Sequence, residues 1–303
     1  MRRLVRLGIA LVLVALVIIA VGPALFAPTG KRLALKENPG DYGLRYEAVS
    51  FHPPDRPITL RAWWIPAENA RAALIVVHGG GDDNRNVPYG AGLALARDLA
   101  ARRYALLMID LRNFGESDGT PEGITYGDLE VNDVVGAIDF LATRAPLLPV
   151  GAIGFSMGGA TVLRTAARDR RLRAVVSDSA YADARDVAVS FTHAATGLPV
   201  LVAMPFVWSA QHLHGAPLAR GATVEALRGG TFPPVLLIHD RHDPIAPVAG
   251  AEQIAAVIPG ARSWITDLAE PGPFGTHIQA YRLAPAPYLE HVTGFLDGVF
   301  TGS

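Results

Sequence analysis

Apolar and polar positions divide the chain into one long apolar run followed by an alternation of short apolar segments and longer amphipathic ones. Leu4 to Ala27 is almost wholly apolar, with Arg2, Arg3 and Arg6 preceding or entering it. About 20 such residues span a bilayer as a helix. The run is longer than the apolar core of a signal peptide, and Pro23 and Pro28 stand where cleavage would have to occur. Residues 1–28 are therefore expected to be an uncleaved membrane anchor, with secretion after signal cleavage as the alternative. Arg2, Arg3 and Arg6 favour an N-terminus held inside, whereas Lys31, Arg32 and Lys36 pull the other way. The balance places the following domain on the extracytoplasmic side.

Residues 29–43 read as a polar linker marked by Gly and Pro, and the remainder, 44–303, as one domain. Leu44–Phe51 and Ile58–Ile65 are predicted strands, split by the turn His52-Pro53-Pro54-Asp55 and paired antiparallel, with Trp63 and Trp64 covering the edge of the pair. Ala72–Val77, Tyr104–Ile109, Leu147–Ile153, Leu172–Ser177, Val235–His239 and Ser263–Thr266 are further strands. Between them lie helical patterns over Tyr89–Arg102, Tyr126–Thr143, the stretch after Ser156, Val248–Val257 and Ala286–Phe300. Strands alternating with helices define an α/β fold, a mostly parallel sheet with helices on both faces. Leu129, Val134, Ile138 and Leu141 mark the buried side of the second helix, and Tyr288, Val292, Phe295, Leu296 and Val299 that of the last.

The interval from Ser179 to Phe232 is too long for a single crossover helix. It holds Phe191, Leu198, Val200, Leu201, Met204, Phe206, Val207 and Trp208, with prolines at 199, 205 and 217. We read about 180–232 as a small helical cap insert over the carboxyl ends of the strands, where ligands bind in open α/β sheets. An extra pair of surface helices is the plainer alternative. An apolar cap implies an apolar group on the ligand.

Composition narrows this picture. The chain has 303 residues, enough for one large α/β domain with additions. Its formal net charge is -1 with no basic stripe, which argues against a nucleic-acid partner. Half of the residues are apolar, in keeping with a membrane segment. The absence of cysteine excludes disulfides, thiolate metal sites and a cysteine nucleophile.

The chemistry centres on Gly154-Phe155-Ser156-Met157-Gly158, between an apolar strand and a helix-forming stretch. A strand, a tight turn and a helix with this spacing resemble the nucleophile elbow of the α/β-hydrolase fold, which holds its serine strained and exposed. The helix N-terminus behind Ser156 aims N–H groups and a partial positive charge at an anion formed there. A serine hydroxyl still needs a base, an acid to orient that base, and donors for an oxyanion. The acid belongs on a loop after a later strand. There Asp240 and Asp243 both qualify, and Asp178 lies one strand earlier. Asp243 is preferred because it lies further out on its loop and Pro244 fixes the turn. Among nine histidines, His277 and His291 follow the acid with a strand between. His291 falls on the edge of the last helix, whereas His277 occupies the loop Pro271–His277, where a mobile base belongs. Met157 supplies one oxyanion N–H. Gly80, in the loop His78-Gly79-Gly80-Gly81, supplies the second, with His78 orienting that loop. His212 and His214 form at most a weak zinc site, since no carboxylate accompanies them at ligand spacing.

Together these residues resemble the serine α/β-hydrolases, and within them the membrane-anchored Bem46/ABHD-type group, over Leu44 to Phe300. His78-Gly79 with Asn84-Arg85 is similar to the family's His-Gly loop. Asp110-x-Arg112-x-x-Gly115-x-Ser117 is similar to its Asp-x-Arg-Gly-x-Gly-x-Ser turn, with Asn113 in place of a glycine, and is read as structural support for the site. His239-Asp240-x-x-Asp243-x-Ile245-x-Pro247 resembles the segment that carries the acid, with Asp240 where glycine is usual. His277 with Tyr281, Pro285, Tyr288 and Phe295-Leu296 resembles the family's C-terminal segment. The resemblance implies a membrane-anchored serine hydrolase acting through Ser156, His277 and Asp243 on carboxylic esters, including lipid esters or thioesters. No metal or organic cofactor is implied. An acyltransferase or peptidase using the same triad, or a binding module on a hydrolase scaffold, are the competing readings.

Overall fold

The computed structural model describes residues 32–81, 83–86 and 91–301, together with Arg3, Arg6, Ile9, Leu16, Val17 and residues 19–22, which are helical. Most of the run expected as an anchor thus lies outside the described residues, and among those described no helix is long and apolar enough to cross a membrane.

An eight-stranded sheet forms the centre. Its strands are β1 (Glu47–Phe51), β2 (Leu60–Ile65), β3 (Ala72–Val77), β4 (Tyr104–Ile109), β5 (Val150–Phe155), β6 (Leu172–Asp178), β7 (Val235–Asp240) and β8 (Arg262–Thr266). Their spatial order is β1-β2-β4-β3-β5-β6-β7-β8, antiparallel at β1-β2 and β2-β4 and parallel from there to β8. β3 and β4 are buried at every position, which is why they read as unbroken apolar runs rather than alternating ones.

The helices are α1 (Gly92–Ala100), α2 (Glu130–Arg144), α3 (Met157–Ala166), α4 (Ala184–Thr196), α5 (Val200–His212), α6 (Thr223–Leu227), α7 (Val248–Val257), α8 (Ala280–Leu283) and α9 (Pro285–Phe300). Two apolar cores lie on the two faces of the sheet. One packs Val134, Ile138 and Leu141 of α2, Val162 and Leu163 of α3 and Ile254 of α7 under Ile75, Leu107 and Val175. The other packs Leu93 and Leu99 of α1 and Tyr288, Val292 and Leu296 of α9 under Leu74, Leu106 and Ile153. Burying such side chains contributes about 1.5–3 kcal/mol each against an exposed reference, and this drives the sandwich together.

Several expectations are corrected by tertiary packing. Trp63 and Trp64 do not cover an edge. β2 is the second strand of the sheet, so successive side chains enter opposite cores, and Arg85 lies 4.7 Å over the Trp63 ring. The second helix begins at Glu130, not Tyr126. The Glu130 carboxylate turns back to accept Thr125 N–H, Thr125 Oγ1–H and Gly127 N–H, holding residues 125–129 as a turn with Tyr126 at φ 56°. Part of the expected linker is ordered against the domain. Pro39–Tyr42 forms a 3-10 turn capped by Asn38, and Leu35, Tyr42 and Leu44 pack on the α1–α9 core. The interval between β6 and β7 holds α4, α5, a 3-10 turn (Leu218–Gly221) and α6. Asp183 caps the start of α4, and Gly197, at φ 71°, ends it in the left-handed conformation.

Candidate active site

β3, β5, β6 and β7 run parallel, so the loops that leave their carboxyl ends converge on one rim. The β5–α3 turn sets the geometry. Ser156 has φ 51° and ψ −114°, a conformation that strains a non-glycine residue by about 1–3 kcal/mol. Its N–H donates to the Asp178 carbonyl (2.8 Å) and its carbonyl accepts Ala160 N–H (3.0 Å), so strand and helix hold the turn from both sides. A Cβ at Gly154 would fall inside the Gly158 carbonyl, and one at Gly158 inside the carbonyls of Val77 and His78. Only glycine lets α3 approach β5 and β3 this closely. Ser156 is 8% exposed, and its Oγ–H points to His277 Nε2 at 2.9 Å.

His277 comes from the loop after β8. Its Nδ1–H donates to Asp243 Oδ2 at 2.8 Å. Asp243 Oδ1 accepts Ile245 N–H and Ala246 N–H, both at 2.8 Å, so the carboxylate can turn only one oxygen to the imidazole. Neither of the other two candidate aspartates bonds His277. Asp240 accepts Thr266 Oγ1–H (2.6 Å) and Leu268 N–H (2.8 Å) on Oδ2, and His242 N–H and Thr276 Oγ1–H (both 2.8 Å) on Oδ1. It thereby ties the β7, β8 and His277 loops together. Burial pulls its pKa up, but these bonds outweigh it and leave the group below its ordinary value. Asp178 is buried, bonded by Ser179 Oγ–H (2.9 Å), and pushed up to about 7 by burial. The buried Tyr288 hydroxyl also faces its carboxylate, which favours the ionised form, but burial outweighs this.

The His277 loop is held in an unusual shape. Ile278 has φ 51°, rare for a β-branched residue, while its N–H donates to Ser179 Oγ (3.2 Å), and Ser179 itself has φ 54°. A Cβ at Gly275 would stand 3.0 Å from Pro244, so that glycine lets the base loop lie on the acid loop. His291, the other candidate base, is exposed on α9 with its ring stacked 4.3 Å from Trp264.

The glycine loop after β3 lies beside the elbow. A Cβ at Gly80 would be 3.5 Å from Met157 Sδ, and one at Gly79 3.5 Å from Ser156 Cβ. Gly79 N–H is already donated to Asp83 Oδ2 (3.1 Å). Met157 opens α3, so its N–H has no intrahelical acceptor. His78 is fully buried and pushed down to about 4 by burial, hence neutral. Its Nδ1–H donates to the Gly79 carbonyl (2.7 Å) and its Nε2 accepts Leu111 N–H (3.0 Å), which links the glycine loop to the turn after β4.

That turn is a buried ionic brace. Arg112 meets Asp55 (2.9 and 3.0 Å) and Asp133 (2.9 Å). Asp110 accepts Arg85 N–H (2.7 Å) and Glu116 N–H (2.9 Å), and any side chain at Gly115 would collide with it. Asn113 sits at φ 69°, a conformation asparagine tolerates. It accepts Thr120 N–H (2.7 Å) and donates to the Gly123 carbonyl (2.8 Å), so it stiffens the turn.

Three neighbours of the site were not assigned from sequence. His239, buried and held low by burial, donates from Nε2 to the Ala246 carbonyl (2.6 Å) behind Asp243. Ser179 supports Ile278. Asp83, crowded beside Gly79, is pushed up to about 7 by lost hydration. The doubled Asp82-Asp83 after a glycine run was the available signal for the last. One ring nitrogen of each of His212 and His214 is engaged, by the carbonyls of Trp208 and Ala20 respectively, and no cluster of three metal-ligating side chains occurs among the described residues. Two surface depressions, about 460 and 400 Å³, are lined by Thr276 and neighbours and by Arg85 and the β1–β2 edge, and neither is lined by Ser156, Asp243 or His277.

Fold order, elbow and loop convergence define a class, and residues 72–232 match the alpha/beta hydrolase fold family. The match covers just over half of the chain, which therefore belongs to that family. The chain is 33% identical over 162 residues to the uncharacterized protein YfhR of Salmonella typhi, covering 47% of this chain and 51% of the relative. It is 33% identical over 118 residues to the quorum-quenching protein AidA of Acinetobacter baumannii, covering 38% of each. The chain thus spans about half the length, or less, of the curated relatives it matches. In structure it is similar to the esterase Pf2001 of Pyrococcus furiosus, with a TM-score of 0.73 and 22% identity over 90% of this chain and 98% of the esterase. At that identity the likeness concerns the fold.

Proposed function

We propose that the protein is a serine hydrolase of carboxylic esters. Ser156 is the nucleophile, His277 the general base, and Asp243 the group that orients the imidazole and stabilises the imidazolium formed when it takes the serine proton. The observation that carries this reading is the continuous chain Asp243 Oδ2–His277–Ser156 Oγ at 2.8 and 2.9 Å. The Ser156 proton passes to His277 Nε2 as Oγ attacks the ester carbonyl. The tetrahedral oxyanion meets the N–H groups of Met157 and Gly80, since Gly79 N–H is committed to Asp83. His277 then returns the proton to the leaving alcohol, and water repeats the cycle on the acyl-enzyme. Every step uses side chains and backbone of this chain.

Residues 1–28 act as a membrane anchor, 29–43 as the connection to it, and 44–303 as the hydrolase domain, with about 180–232 as its cap. The domain faces the extracytoplasmic side. The apolar run of 4–27 and the helical state of its described residues support this arrangement, which also fits the Bem46/ABHD-type group. Phe191 of α4, 5.6 Å from Phe274 on the His277 loop, supports an apolar acyl group under the cap.

The test uses the full chain in detergent with p-nitrophenyl esters of rising acyl length and a fluorophosphonate probe. Wild type should turn over esters and take the label, and Ser156→Ala and His277→Ala should lose turnover. A folded wild type with neither turnover nor label would overturn the hydrolase reading in favour of a binding scaffold.

A further inference from the structure

Helix α5 has two apolar sides. Ala203, Phe206, Val207 and Ser209 are buried, so the inward side is already used. Yet Val200, Leu201, Met204 and Trp208 are 48, 83, 55 and 56% exposed, and their spacing puts them on one outward stripe. A soluble surface helix carries charge on that side. Here no Asp, Glu, Lys or Arg occurs between Asp186 and Arg220, in a chain that is 18% charged. The Trp208 ring stacks on His212 at 4.7 Å, leaving an indole with an apolar body and a polar tip at the edge of the stripe.

Two described residues of the N-terminal apolar run touch the same structure. His214 Nε2–H donates to the Ala20 carbonyl at 2.6 Å, and a methyl at Gly22 would stand 2.8 Å from the Phe206 ring. Ala20 and Gly22 therefore meet α5 at the turn that follows it and on its Phe206 side, so the described end of the apolar run lies against the helix that carries the stripe. Helix α4 of this pair borders the site. Phe191 of α4 packs on Phe274 of the His277 loop and lies 3.8 Å from where a Cβ of Gly81 would be.

We propose that the outward stripe of α5 is a docking surface for a lipid bilayer, on the helix against which Ala20 and Gly22 of the N-terminal apolar run lie. A bilayer fits better than a protein groove because the stripe lacks charge over its whole length and its helix also meets Ala20 and Gly22 of a run of membrane-spanning apolarity. With no Lys or Arg on the stripe, docking uses apolar burial rather than anionic headgroups, so the occupant is a zwitterionic bilayer. Delivery of a lipid-borne ester to Ser156 rests on the esterase reading above, whereas docking itself does not.

The experiment places the full chain in phosphatidylcholine vesicles containing brominated acyl chains and compares tryptophan emission of wild type with Trp208→Phe. Trp63 and Trp64, buried in the domain, and Trp264, half-buried beside α9, are common to both proteins and serve as the background. Docking predicts that most of the bromine quenching disappears in Trp208→Phe. In parallel, Leu201→Glu/Met204→Glu should slow hydrolysis of a long-chain ester held in the vesicles by about tenfold or more, with a water-soluble butyrate ester still hydrolysed at the wild-type rate. Fluorophosphonate labelling of Ser156 reports that this variant folds. Equal quenching in wild type and Trp208→Phe would overturn the proposal. So would a wild-type dimer that the double variant converts to monomer without any bromine-quenching difference, since a second copy would then cover the stripe. If wild type hydrolyses neither ester, the esterase reading fails, and the quenching comparison still decides the docking.

Discussion

Replacing Asp243 by asparagine changes the site by little more than one oxygen, and the structure dictates how the amide must sit. Asp243 Oδ1 accepts two backbone N–H groups, from Ile245 and Ala246, both at 2.8 Å. An amide NH2 cannot face two donors, so asparagine keeps its carbonyl there and turns the NH2 toward His277 Nδ1. Nδ1 must then accept, which moves the ring proton to Nε2. Nε2 faces Ser156 Oγ at 2.9 Å, and a protonated Nε2 cannot take the serine proton. The loss expected from a wrong tautomer is on the order of 10⁴ in kcat, or about 5.4 kcal/mol at about 1.36 kcal/mol per tenfold. Stability should change little, because both backbone donors keep their acceptor. The assay is kcat on a p-nitrophenyl ester, with the fluorophosphonate labelling rate as a second readout and thermal unfolding as the control. Asp240→Asn and Asp178→Asn, measured beside it, should retain far more activity. An Asp243→Asn enzyme within about tenfold of wild type would refute the argument, and a collapse in Asp178→Asn instead would move the acid to β6.

Three further outcomes follow from the packing. Gly158→Ala should lower kcat and the labelling rate by about 10² or more, because its Cβ would enter the carbonyls of Val77 and His78 and push Met157 and Ser156 off their positions; wild-type rates would contradict the close approach of α3 to β3. Arg112→Met should destabilise the domain by about 3–5 kcal/mol by leaving the buried Asp133 unpaired, and Arg112→Met/Asp133→Leu should regain much of that in a denaturant titration. Asp178 is pushed up to about 7 when folded, against an unfolded value near 3.8, so the folded state binds its proton more tightly. Asp178 should therefore contribute a loss of stability as pH rises from about 4 to 7, and Asp178→Asn should remove that contribution, up to about 4 kcal/mol at about 1.36 kcal/mol per unit; parallel stability–pH curves for the two proteins would refute this.

Much of the fold could be read from local pattern. Ala72–Val77, Tyr104–Ile109 and Val248–Val257 have the same bounds in the sequence reading as in the structure, because an unbroken apolar run or a regular 3.6 period is a property of neighbouring residues. Misreadings fell where distant contacts decide conformation. Tyr126 continues an apolar period, yet Glu130 folds the chain back and delays α2. Trp63 and Trp64 look like edge cover until β1 pairs outside them.

The candidate site divides in the same way. Gly154-Phe155-Ser156-Met157-Gly158 marked the turn, because its glycines are required by contacts within one strand–helix unit and a neighbouring strand. Residue type and chain order singled out Asp243 and His277 but left Asp178 and Asp240 open. The difference between those aspartates is one of direction, and direction comes from tertiary structure. Asp240 is consumed by four bonds that join three loops, Asp178 faces Ser179, and Asp243 alone of the three is turned toward His277. The Asp243–His277 pair spans 34 positions and the His277–Ser156 pair 121, distances over which no periodicity carries information. The left-handed conformations of Ser179 and Ile278 were equally invisible, since neither residue type prefers them and only the surrounding bonds impose them. Sequence alone determined the alternation of strands and helices, the elbow and the chemical types available around it. The tertiary structure alone decided which carboxylate meets the imidazole and which face of α5 stays bare, because both depend on how strands far apart in the chain pair side by side.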